Sequence, residues 1–187
     1  MQPLRHDING GLSREIRINI VQGSCRVTDN DDVVMSTVLG SCVACCLFDP
    51  LARVGGMNHF LLAEPREGTV CSTAEAERYG LYAMELLINE MLQAGAIRSR
   101  LRAHLYGGAN LHAGMQAIGT SNADFARAFL LRDGIPLAHS NLGGVLARRV
   151  DFRATAGKAR CRLVAADVPA VTRGPVLPRG GGAVELF

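Results

Sequence analysis

No uninterrupted apolar run in the 187 residues approaches the roughly 18 that a membrane span requires. The opening stretch, residues 1–20, lacks an apolar block too and carries Arg5, Asp7, Arg14, Glu15 and Arg17. Neither a secretory signal nor a membrane anchor is therefore expected, and the expected location is cytoplasmic. An excess of one charge is also missing, since 20 basic residues stand against 17 acidic ones for a formal net charge of +3. That balance argues against a nucleic-acid partner and suits a mildly acidic protein. Nucleotide signatures are absent as well. Gly107-Gly108 and Gly143-Gly144 fit neither G-x-G-x-x-G nor the Walker pattern, and are expected to be turns that shape a site. For zinc, Cys42-Val43-Ala44-Cys45 has no second CxxC, His104 and His112 are eight apart, and His139 stands alone, so no metal site is expected.

What is present is a globular composition, 48% hydrophobic and 20% charged, at a length that fits one domain. In a reducing compartment the six cysteines, Cys25, Cys42, Cys45, Cys46, Cys71 and Cys161, are expected as thiols. The chain divides into a polar lead-in over residues 1–20, a core domain over 21–167 and a Pro/Gly-rich tail over 168–187. Within the core, Val33 to Leu39 and Val43 to Phe48 read as strands, the second stopped by the turn-forming pair Asp49-Pro50. Gly55-Gly56 then leads into Met57 to Leu62, so the runs on either side of the turn are expected to form a hairpin. Ser72-Thr73-Ala74-Glu75 has capping-box form, and Leu81, Met84, Ile88 and Met91 behind it recur at helical spacing until Gly95. A strand over Ala103 to Tyr106 and a helix from about Asn122 to Arg132 follow. Three short strands come next: Ile135 to His139, Val145 to Phe152 and Ala159 to Ala165. Two helices and several strands without regular helical crossovers indicate an α+β layered sandwich. Arg98, Arg100, Arg102, Arg148 and Arg149 read as solvated positions.

The chemistry centres on Leu39-Gly40-Ser41-Cys42, an apolar strand that meets a Gly-Ser turn and presents a thiol beside backbone N–H groups. A free cysteine thiol titrates at about 8.5 and acts as a nucleophile only when neighbouring groups favour the thiolate. His59 lies 17 residues on, and a hairpin centred on Asp49-Pro50 folds that distance back into contact. Taken alone, Cys42 also reads as a small buried hydrophobe and His59 as a hydrogen-bonded histidine at the edge of a core. Their joint placement points to a nucleophile and its base. If Val43 to Phe48 is extended, the odd spacing sends Cys42 and Cys45 to opposite faces, and Cys45 and Cys46 become packing residues.

These segments, LGSC at 39–42 and GGMNHFLL at 55–62, together with Gly107-Gly108-Ala109-Asn110, Ile118-Gly119 with Asn122, and Leu142-Gly143-Gly144 with Arg148, resemble the CheD family of bacterial chemotaxis proteins. The resemblance implies a three-layer α/β/β sandwich with mostly antiparallel sheet. It implies hydrolysis of receptor glutamine side-chain amides to glutamate, with Cys42 as nucleophile, His59 as base and no metal or organic cofactor. Gly40, Ser41 and Asn58 are expected to shape the site, with backbone N–H groups near Ser41 and Cys42 holding the oxyanion. A family hydroxyl before the cysteine orients the histidine. By position that is Ser36, while a one-residue bulge before Gly40 would give the role to Thr37. The implied substrate is the cytoplasmic helical region of methyl-accepting chemoreceptors, and a CheC-type phosphatase is an implied partner.

Overall fold

A computed structural model describes residues 15–62, 73–111 and 118–164, together with the backbone of the short pairs 5–6 and 12–13; over 73–77 it describes backbone only. Cys71, Ser72 of the expected capping box and the 168–187 tail lie outside the described residues. In chain order the elements are β1 (Arg5–His6), β2 (Leu12–Ser13), β3 (Ile16–Asn19), β4 (Cys25–Thr28), β5 (Val33–Leu39), β6 (Val43–Asp49) and β7 (Val54–Asn58). Then come α1 (Thr73–Gln93), β8 (Arg102–Gly107), α2 (Ile118–Arg132), β9 (Leu137–Leu142), β10 (Ala147–Arg153) and β11 (Lys158–Val164).

The main strands form two sheets, one ordered β4-β7-β6-β8-β9 and the other β11-β10-β5-β3. Among the described residues β3 pairs with β5, and β8 with β9, in parallel; the other pairings are antiparallel. One core lies between the five-stranded sheet and the helices, with Val43, Cys45, Leu47 and Phe60 packed against Met84, Leu87 and Phe129. A second lies between the sheets, joining Ala44, Cys46 and Met57 to Met35, Leu39, Val150 and Phe152. The result is an α+β sandwich of three layers. Because both faces of β6 are covered, its residues run apolar without alternation. β10, exposed on one side, alternates.

The expected hairpin is present, with Cys46 opposite Met57 and Asp49 opposite Val54. Its turn is closed by Asp49, whose Oδ1 accepts from the N–H groups of Leu51 at 2.9 Å and Ala52 at 3.1 Å, while Oδ2 accepts from Ile97 N–H at 2.9 Å. Burial opposes the charge of this carboxyl, but the three N–H donors outweigh it and hold the pKa below the usual range. Gly55 and Gly56 are required for space: a Cβ at 55 would lie 2.3 Å from the Ala154 carbonyl oxygen, and one at 56 would lie 2.8 Å from that of Arg26. Two sequence expectations are revised. The polar lead-in contains β3, which is held to β5 through Ile16–Val33 and Asn19–Ser36 pairing. The second helix begins at Ile118, a turn before Asn122.

Candidate active site

Hairpin register decides which side chains share a face. Cys46 stands opposite Met57 and Val43 bridges Phe60, so Ala44 faces His59 and Cys42 lies one diagonal step further along the same face. Diagonal neighbours of this kind are within reach of long side chains. That face packs on the second sheet, whereas Cys45 packs on the helices, so the CxxC pair is split between opposite faces.

His59 is buried, and its backbone is fixed on both sides: its N–H donates to Ser24 O at 3.1 Å and its carbonyl accepts from Gly23 N–H at 2.7 Å. The ring reaches across the seam between the sheets. Its Nδ1 lies 2.9 Å from Thr37 Oγ1 on β5 and 3.2 Å from the Ile20 carbonyl oxygen. Thr37 donates its one hydroxyl proton to that same carbonyl at 2.7 Å, so its oxygen is left to accept. Both neighbours of Nδ1 are therefore acceptors, and the network assigns the ring proton to Nδ1. Nε2 carries the lone pair and is buried without a hydrogen-bond partner among the described residues. Burial lowers the His59 pKa from its ordinary 6.5, with the Ile20 carbonyl opposing, so the ring is neutral at pH 7.

The expectation for Ser36 is corrected by the same geometry. Ser36 is one residue from Thr37 on β5 and so projects from the other face, where its hydroxyl donates to Asp151 Oδ1 at 2.8 Å and accepts from Arg17 at 3.4 Å. Thr37 is the hydroxyl at His59. Asn58 adjoins His59 but stands on the other face of the strand line. It points toward the helices, accepting from Cys45 N–H at 2.9 Å and donating to the Ala83 carbonyl at 2.9 Å, and so ties the hairpin to α1.

The Gly40–Cys42 segment is held through three successive carbonyls. Gly40 O accepts from Ala109 N–H at 2.8 Å, Ser41 O from Asn122 Nδ2 at 2.9 Å, and Cys42 O from Gly108 N–H at 2.7 Å. In a trans peptide the N–H points opposite the carbonyl, so fixing the first two carbonyls also fixes the directions of the Ser41 and Cys42 N–H groups. Gly107, at φ 114°, is indispensable here, because a Cβ would sit 2.1 Å from Cys42 O. Cys42 itself is half-buried, and its Sγ lies 3.4 Å from Gln22 Oε1.

Two residues behind this loop carry more than the sequence indicated. Asn122 is fully buried in α2, and besides holding Ser41 O it accepts from Leu62 N–H at 2.7 Å, joining the thiol loop to the segment after His59. Its place in the motif with Ile118-Gly119 was the available signal. Arg148 is not solvated but buried. Its guanidinium donates to Gly107 O at 2.8 Å and also to the carbonyls of Asn141 and Gly143, bracing the backbone that receives Cys42 O.

Fold and site together define an α+β sandwich with a thiol, an imidazole and a hydroxyl gathered at the seam between its sheets. The chain belongs to the CheD family: the family model described as CheD chemotactic sensory transduction matches residues 61–163. It is 54% identical over 171 residues to a probable chemoreceptor glutamine deamidase CheD of Zymomonas mobilis, covering 91% of this chain and 92% of the relative. It is 48% identical over 179 residues to a protein of the same description from Caulobacter vibrioides, covering 93% and 95%. Spans of that length necessarily include residues 42 and 59. Among solved structures, the hypothetical protein YfiH of Bacillus licheniformis aligns with a TM-score of 0.41 at 12% identity, over 69% of this chain and 60% of the other, too slight a likeness to carry an argument.

Proposed function

We propose that this protein is a chemoreceptor glutamine deamidase that uses Cys42 as nucleophile and His59 as general base. The carrying observation is the assignment of the His59 proton to Nδ1 by Thr37 and Ile20, which leaves Nε2 as a base on the face that also bears Cys42. The descriptions of the Zymomonas and Caulobacter relatives supply the substrate class.

In this mechanism Nε2 takes the Cys42 proton and Sγ attacks the glutamine Cδ, placing negative charge on the amide oxygen. The fixed N–H groups of Ser41 and Cys42 are the donors for that oxyanion. Collapse breaks the C–N bond as the imidazolium protonates departing ammonia, leaving a thioester on Cys42. Nε2 then deprotonates a water that hydrolyses the thioester, giving glutamate and the free thiol. Thr37 acts through His59, keeping Nε2 free of its proton and aimed. The substrate is the receptor's cytoplasmic helical region, which goes with a cytoplasmic protein, and a CheC-type phosphatase is the regulatory partner. Among the described residues no helix is long and apolar enough to cross a membrane.

A non-catalytic receptor-binding module is the rival reading. That reading requires a histidine without its orienting hydroxyl, and the Thr37 contact with His59 supports the catalytic reading instead. The deciding experiment is mass spectrometry of a purified receptor cytoplasmic fragment incubated with wild-type protein or Cys42→Ser. A gain of about one dalton at defined glutamines, with wild type only, is the outcome the mechanism requires. Binding without any gain would leave the module as the better account.

A further inference from the structure

The side chain beside the Cys42 thiol is itself a primary amide of the substrate's chemical class, Gln22, with Oε1 3.4 Å from Sγ, and none of the steps above employs it. Its position is imposed by the backbone around it. Ile20 N–H donates to Ser36 O at 2.8 Å, and Gly23 N–H donates to His59 O at 2.7 Å. The turn between them is closed by Ser24, whose N–H and hydroxyl both donate to Val21 O, at 3.0 and 2.7 Å. Gly23 takes φ 81°, and the turn returns the chain directly into pairing with His59. Gln22 is thus the apex of a turn whose two ends are fastened to the strands bearing Thr37 and His59. The side chain is solvent-exposed at that apex, so nothing buried holds it against rotation about its own χ angles.

We infer that Gln22 is a modification site, a glutamine that Cys42 deamidates within the same molecule. The inference rests on the deamidase reading and adds a substrate to it. Proximity is the physical reason: an amide carried by a clamped turn meets the thiol at a very high effective concentration, independent of any docked partner. The step is the one already described, with Sγ bonding to Cδ of Gln22, ammonia leaving with the proton held by His59, and water releasing the thioester. In balance, the Gln22 side-chain amide and one water give a side-chain carboxylate at that position and ammonium. The product sets a carboxylate beside the thiol, and a like charge there disfavours the thiolate, so modification attenuates the enzyme that performs it.

Peptide mass spectrometry across residue 22 tests this, on wild-type protein and Cys42→Ser incubated in parallel at two concentrations about tenfold apart. An active receptor fragment assay is run on the same wild-type sample. The expected result is a gain of about one dalton at residue 22 in wild type only, at a rate unchanged by dilution. Gln22 left intact in protein that deamidates the receptor fragment would overturn the inference while leaving the function standing. An equal gain in Cys42→Ser would assign the change to spontaneous hydrolysis at Gln22-Gly23, and a gain that slows on dilution would assign it to a second molecule; either overturns modification in cis. No gain in receptor or at residue 22 would remove the deamidase reading and this inference together.

Discussion

On the helix side of the β6–β7 hairpin, Cys45 and Asn58 are wholly enclosed: the thiol packs among leucines and methionines, and the amide is spent on a strand N–H and a helix carbonyl. On the opposite side, one residue away in each case, stand Ala44, Cys46 and His59, with Cys42 at the open end. The residue types are nearly the same on both faces, yet their surroundings differ. On the helix face burial pushes the Cys45 thiol far up and every polar atom is committed. On the seam face the imidazole keeps one nitrogen uncommitted, and the thiol nearest the end is half-buried. In the proposed mechanism, reactivity is a matter of strand parity and distance from the layer's edge.

The comparison breaks most sharply at the thiols. Cys42→Ser lowers receptor deamidation by at least about 1,000-fold, as removal of a nucleophile does, with thermal stability unchanged. Cys46→Ser keeps the rate of the folded protein and instead loses about 1–3 kcal/mol of stability in denaturant titration, because it buries a hydroxyl at a site that held a thiol. Equal activity loss in both variants would deny that position separates them. Next in size is His59→Gln, expected to lower kcat by roughly 100- to 10,000-fold, the usual worth of a general base.

The pair on β5 sharpens the same lesson at smaller scale. Thr37→Val leaves Nδ1 with the Ile20 carbonyl alone and lowers kcat by roughly 10- to 100-fold, the range typical of groups that orient a working imidazole. Ser36→Ala, which removes a hydroxyl bonded to Asp151 and Arg17, changes kcat by less than about threefold. A reversal of this order, read from kcat and the pH profile together, would return the orienting role to Ser36.

pH supplies the smallest effect. Since burial lowers the His59 pKa, the folded protein binds that proton less readily than the unfolded chain, whose histidine titrates near 6.5. Stability from keeping this ring neutral is full above pH 6.5 and is lost as pH falls through the folded value. The acid limb of kcat/KM should accordingly lie below 6.5. An acid limb above it would show that the imidazole is not the free-enzyme base.

Much of this was legible in the residues alone. Asp49-Pro50 announced the hairpin, and the hairpin brought Cys42 and His59 onto one face, because both depend on local turn chemistry and a fixed period of two. What stayed hidden depends on register between distant strands. Position along the chain favours Ser36 over Thr37 until β5 is paired with β10, where Ser36 meets Asp151 and Thr37 meets Val150. Asn122 and Arg148 stood within the family motifs, but their roles were hidden for another reason: their partners are backbone carbonyls and an N–H, which every residue possesses. β3 escaped notice because it has four residues and three of them are exposed.

Thr37 belongs to one sheet and Cys42 and His59 to the strand line of the other, so the His59 ring meets its orienting hydroxyl only once the two layers have docked. A nascent or partly unfolded chain can present the thiol, but its imidazole has no partner to fix the tautomer. The orienting contact therefore exists only while the two layers are docked. In the proposed mechanism, hydrolysis of glutamine amides is thereby confined to molecules whose two layers are docked.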